Sequence, residues 1–166
     1  MGRGPEAASQ EMVVAAFGVD GDAVCGDLVR RLRDRDKAVV ERAARTLKKI
    51  SEADAARLFR WRKALIEEAL RAADVRVQWN MTIVLGRLPL KGQGKAVVVD
   101  LMFERLRDKN GLNRTMALQA LVDLSEDDAR LRMRLGPIAR EFLENGTPAM
   151  KARARRLLGV RRDPLG

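Results

Sequence analysis

The amino-acid sequence predicts an all-α protein: a short α-solenoid of about four helical hairpins behind one short N-terminal helix. Three observations predict it. The 166 residues are 46% hydrophobic yet only 4% aromatic, with no Tyr. A core of Ala, Leu and Val favours close helix packing, whereas strands want more aromatic and β-branched residues. Apolar positions recur at helical spacing through most of the chain. Segments are also self-similar at a period near 37 residues. The length suits one domain with a real core. The charged fraction of 34% suits a soluble helical chain rather than a disordered one. The expected organisation is an N-terminal helix and loop over residues 1–21, helical repeats over 22–158 and a loose tail over 159–166.

Element by element, Met1 to Gly4 reads as frayed. Pro5 and Glu6 suit a first helical turn, because Pro lacks only a spare donor there and Glu favours the positive dipole end. A short helix follows to about Phe17, then a Gly18-Val19-Asp20-Gly21 loop. Asp22 is the expected cap of a helix over residues 22–33, and Asp36 of one over 37–50. Ser51-Glu52-Ala53-Asp54 is like a capping box, with Asp in place of the usual Glu or Gln, and is expected to open a long helix over 51–72. Asp74 caps the helix beginning at Val75, which Pro89 stops before a flexible 90–94 connection. Helices over 95–107 and 112–124 flank a Lys109-Asn110-Gly111 turn. Ser125-Glu126-Asp127-Asp128 repeats the Ser51 start signal. The helix it opens is expected to kink near Gly136-Pro137 and to stop at Asn145-Gly146. Thr147-Pro148 starts the last helix, ending near Leu158.

The stretch from Val75 to Leu88, VRVQWNMTIVLGRL, has two apolar sides when helical. At 100° per residue, Val77, Met81, Val84, Leu85 and Leu88 share one face, and Val75, Trp79 and Ile83 the opposite one. Val75, Val77, Trp79, Met81 and Ile83 also alternate with Arg76, Gln78, Asn80 and Thr82 in the period-two pattern of a half-buried strand. Only residues 96–103 are rich enough in β-branched residues to pair with it, and two strands alone are marginal in water. The helix is therefore the expected form.

The repeat is explicit. Ser51-Glu52-Ala53-Asp54-Ala55-Ala56-Arg57-Leu58 recurs 74 residues on as Ser125-Glu126-Asp127-Asp128-Ala129-Arg130-Leu131, with one residue deleted. Ala43 and Leu47 match Met81 and Leu85, then Ala117 and Leu121, then Ala154 and Leu158, at offsets of 38, 36 and 37. Units of two helices bury their apolar faces only by stacking on neighbours. The short-helix cores Val39-Val40-Glu41-Arg42-Ala43-Ala44-Arg45-Thr46-Leu47 and Asn113-Arg114-Thr115-Met116-Ala117-Leu118-Gln119-Ala120-Leu121 resemble the HEAT-repeat (armadillo-like) superfamily of α-solenoids over about residues 22–158. That resemblance implies a scaffold that usually holds other proteins and occasionally nucleic acid. The competing architecture is an irregular helix bundle.

The alignment singles out one surface. Val75, Trp79 and Ile83 stand where the preceding unit has Lys37, Glu41 and Arg45, the next Gly111, Thr115 and Gln119, and the last Pro148, Ala152 and Arg156. In the solenoids this chain resembles, the second helix of each pair lines the concave side. Val75, Trp79 and Ile83 are thus the candidate partner-binding stripe. Arg42, Arg45, Lys48 and Lys49 flank it on one side, and Lys151, Arg153 and Arg155 on the other. The competing reading is that the stripe packs on the N-terminal helix or the long helices as ordinary core.

Net charge is +10, with a pI near 10.7, which points to an anionic partner without naming it or, equally, to a plain solvated surface rich in Arg. The leading expectation is a non-enzymatic binding module for an acidic protein. The alternative is a nucleic-acid binder placing the same Arg and Lys on phosphates, and a homo-oligomer through the Trp79 stripe is a further outcome. No cofactor or metal is expected. The chain has no His, which excludes imidazole catalysis and His-based metal sites. Its one cysteine, Cys25, is expected to be a buried thiol. Asp20-Gly21-Asp22 lacks the downstream ligands of a calcium loop. Gly92-Gln93-Gly94-Lys95-Ala96 lacks the Gly and Ser/Thr of a phosphate loop. Some solenoids of this broad type excise damaged bases with an Asp beside aromatics, and Trp61 and Trp79 are too few for that; Trp61 reads as core. No apolar run reaches a membrane span, the first residues lack the apolar core of a signal peptide, and Glu6 breaks a myristoylation signal. The expectation is a cytoplasmic protein.

Overall fold

The computed structural model describes residues 5–159. The frayed start and most of the loose tail expected above lie outside them. In chain order the elements are α1 (Pro5–Ala16), α2 (Gly21–Arg31), α3 (Lys37–Asp54), a 3₁₀ segment (Ala55–Trp61), α4 (Arg62–Arg71), α5 (Val75–Arg87), α6 (Gly92–Arg105), α7 (Gly111–Leu124), α8 (Ala129–Asn145) and α9 (Pro148–Leu158). The described residues contain no strand. Val75 to Ile83 is helix, so the period-two reading fails.

Helix α3 packs on α5, α5 on α7, and α7 on α9. Each of α2, α4, α6 and α8 packs on the helix that follows it, and α1 packs on α2 and α3. The local chemistry explains the starts of the α3, α5, α7 and α9 row. Asp36 accepts from the Ala38 N–H, Asp74 from Arg76 and Val77, Asn110 from Leu112 and Asn113, and Thr147 from Met150. Each such cap satisfies a donor that the helix leaves spare and contributes about 1 kcal/mol. Their spacing follows that of the core: Ala43, Leu47, Met81, Leu85, Ala117, Leu121 and Ala154 are all buried. Leu158 is half-buried. Cys25 is buried among them.

Several local expectations need correction. Ser51 and Ser125 do not start helices. Each hydroxyl donates backwards, Ser51 to the Lys48 carbonyl at 2.7 Å and Ser125 to that of Val122 at 2.8 Å. The Asp three residues later does the capping: Asp54 accepts from Ala56 and Asp128 from Leu131. A Ser hydroxyl can serve a carbonyl of the preceding turn as readily as an N–H ahead, and here the acidic residue takes the N–H groups. The expected long helix over 51–72 is accordingly broken. Helix α3 continues to Asp54, residues 55–61 tighten into 3₁₀, and α4 begins at Arg62. Asp22 is not a cap but lies in the first turn of α2, where it meets Arg57 and Arg60. Helix α6 starts at Gly92, whose φ of +57° suits glycine alone, rather than at Lys95. Helix α8 contains Pro137 within its span. Trp61 is half-buried against the core rather than enclosed by it.

Two tertiary contacts hold the centre. A Cβ added at Gly86 in α5 would lie 2.7 Å from Cα and Cβ of Ala120 in α7, so glycine there lets the helices approach closely. One and two turns back along α5, the buried Arg105 guanidinium donates to the Ala69 carbonyl (2.8 Å), the Gln78 carbonyl (3.0 Å) and the Thr82 hydroxyl. It thereby joins α4, α5 and α6. Burial pushes its pKa down to about 10, partly countered by Asp108 and Glu104.

Candidate functional site

Helix α5 carries the site because it is apolar on two sides. Val77, Met81, Val84, Leu85 and Leu88 enter the core. Val75 is 40% exposed, while Trp79 and Ile83 are half-buried. The N-terminal helix does not cover them, since α1 packs on α2 and α3. Instead Val75 and Trp79 line a groove of about 500 Å³ between α3 and α5. Leu112 at the start of α7, 42% exposed, lines it with them. Ile83 lies one turn further along α5 and is not among the lining residues.

The polar wall comes from α3. Glu41, Arg45 and Lys48 recur at i, i+4 and i+7 and so share one side of that helix. Lys48 Nζ lies 5.5 Å from the centre of the Trp79 ring, within cation–π range. The Trp79 Nε1–H is buried without an acceptor. Glu41 bridges the two helices: its Oε1 accepts from Arg45 at 2.6 Å and its Oε2 from Arg76 at 3.2 Å. Glu52 plays the same part further along, 3.7 Å from Lys48 and 3.3 Å from Arg87. The groove is thus lined by four cations, Arg45, Lys48, Lys49 and Arg76, and one carboxylate, Glu41.

Of the seven cations anticipated beside the stripe, three line the groove, namely Arg45, Lys48 and Lys49; Arg42 is exposed on α3 outside the lining. Lys151, Arg153 and Arg155 lie on α9, which packs on α7 and α8, and they do not line it. Arg153 donates to the Ala149 carbonyl at 2.9 Å, while its Nε is buried without a partner. Sequence reasoning missed Arg76 and Leu112. The available signal was Leu112 itself, a large apolar residue beside Gly111 on a face otherwise small or polar.

No protein-family model, curated protein or solved structure matches the chain. The reading of the site therefore rests on its geometry. An apolar floor with cations on its rim can seat an apolar side chain and pair with carboxylates beside it. Among the described residues, no three of His, Cys, Asp and Glu come together to hold a metal ion. No helix among them is long and apolar enough to cross a membrane.

Proposed function

We propose that this chain is a non-enzymatic binding module, a short HEAT-like solenoid that docks an acidic protein partner over Trp79. The observation that carries the reading is the groove itself: exposed Val75 and Leu112 beside a half-buried Trp79, rimmed by four cations against one carboxylate. The helix order supports the solenoid part, because α3, α5, α7 and α9 meet in succession and each is backed by the helix before it. Caps and core positions repeating together every 36 to 38 residues support it as well. A cytoplasmic setting fits this role. The apolar floor favours a protein over nucleic acid. Phosphates need only cations, and one aromatic ring roofed by a lysine offers no platform for successive bases.

The test is capture of native partners by the intact protein and by Trp79→Ala, each with and without nuclease. The reading expects acidic proteins that survive nuclease and are lost with Trp79→Ala. Partners that vanish with nuclease and ignore Trp79 would move the function to nucleic acid. Binding that falls with salt at about 0.9 in log affinity per phosphate on duplex DNA would point the same way.

A further inference from the structure

We propose that the groove receives a short acidic segment bearing one bulky apolar side chain, and that Glu41 is a built-in competitor for that segment's carboxylates. The inference rests on the docking reading above and adds the chemistry of the occupant. Glu41 holds Arg45 and Arg76 by one oxygen each, at 2.6 and 3.2 Å. The two guanidiniums come from different helices, so the Glu41 carboxylate occupies a two-armed cationic fork at the edge of the apolar floor. Arg76 is 70% and Arg45 38% exposed at the side chain. An incoming carboxylate can therefore reach both without unfolding anything. The floor beside the fork is Val75, Trp79 and Leu112, which together offer contact for one large side chain. Lys48, over the Trp79 ring, supplies a further cation.

The geometry also argues for discrete carboxylates rather than a continuous phosphate track. Glu41 stands between Arg45 and Arg76, so a polyanion laid across both would meet it at contact distance. A peptide with a gap between its charges, filled by an apolar anchor, avoids that clash. Glu41 then tunes the site: it pre-positions the two arginines and costs affinity for every carboxylate that must share them.

The experiment measures binding of fluorescent twelve-residue peptides to the full chain. The reference peptide carries one Phe flanked by Glu; one variant replaces Phe with Ala, another replaces the Glu residues with Gln. A duplex DNA is the fourth probe. The reference peptide should bind, and both variants should bind far more weakly. Glu41→Gln should tighten the reference peptide roughly two- to fivefold, the range of an exposed ion pair. Glu144→Gln, the same charge change on exposed α8, should leave it unaltered at physiological salt. Trp79→Ala should weaken it about thirtyfold. Leu112→Asp should abolish binding while keeping the fold, since it adds an acid to the exposed first turn of α7. Equal gains from Glu41→Gln and Glu144→Gln, or indifference to the peptide's Phe, would overturn the inference. Acidic proteins captured through Trp79 would in that case still uphold the docking reading. Tighter binding of the DNA, unaffected by Trp79→Ala, would overturn both.

Discussion

Replacing Gly86 with Ala ordinarily strengthens a helix, by about 1 kcal/mol in its interior. Here the opposite is expected. The new methyl would stand 2.7 Å from both Cα and Cβ of Ala120, roughly 1 Å inside the optimum separation of two carbons. One of those atoms is helix backbone, so no rotamer change relieves the contact and α5 must move away from α7. That interface is the most extensive between any two helices of the described structure. Overpacking a well-filled core costs about 1–3 kcal/mol, and a backbone clash belongs in the upper part of that range. After the helix gain is subtracted, a net loss of roughly 1–2 kcal/mol remains, or a Tm lower by about 2–8 °C for a chain of this size. Urea denaturation followed by circular dichroism measures it, with an unchanged m-value showing that the unfolded reference is the same. Gly94→Ala is the control: its Cβ would meet nothing nearer than Ile66 Cδ1 at 3.9 Å, and it should stabilise. Combining Gly86→Ala with Ala120→Gly should recover part of the loss, as a coupling above about 0.5 kcal/mol in a double-mutant cycle. Gly86→Ala that melts higher than wild type, as Gly94→Ala does, would refute the close-approach argument.

Three other outcomes are expected. Arg105→Met should lower stability by about 3 kcal/mol in urea denaturation, because the Ala69 carbonyl loses its guanidinium donor in a buried site and the Gln78 carbonyl keeps only the Thr82 hydroxyl of its two side-chain donors; a loss under 1 kcal/mol would mean that the guanidinium is dispensable. The Asp108 carboxyl is held below its ordinary value by the Asn110 backbone N–H, then by the Asn113 side-chain amide. Its stabilisation is therefore present above the ordinary carboxylate pKa and disappears as pH falls through the lower folded value. The Tm gap between wild type and Asp108→Ala should accordingly narrow below about pH 4, and a gap that widens in acid would contradict the sign. Helix α9 rests on a small separate cluster, Leu118, Val122 and Met150, with Phe142 and Leu157 at its margin. Its amides should exchange with deuterium before those of α5 and α7, and uniform protection would show that the fold opens as one unit.

About half of the candidate site was legible in the sequence. Val75 and Trp79 emerged from helical period and from comparison with their counterparts in the other units, and Arg45, Lys48 and Lys49 from their spacing on α3. Arg76 and Leu112 did not, because their place depends on how α5 sits between α3 and α7. The Glu41–Arg76 ion pair was hidden for the same reason, since it crosses between helices, whereas the Glu41–Arg45 pair is local to α3. The α9 cations had the right charge and repeat position, yet α9 packs on α7 and α8 and contributes nothing to the groove lining.

By itself the sequence determined the helical character of the chain, the starts capped by Asp36, Asp74 and Thr147, and the buried register from Ala43 to Ala154. These depend on interactions within four residues along the chain, where side-chain chemistry and period suffice. Only the tertiary structure decided that Arg105 would be buried among carbonyls of α4 and α5 and that Gly86 would face Ala120. Each of these turns on which surface arrives opposite a residue. That depends on the close packing of whole helices, through contacts between residues distant in the chain.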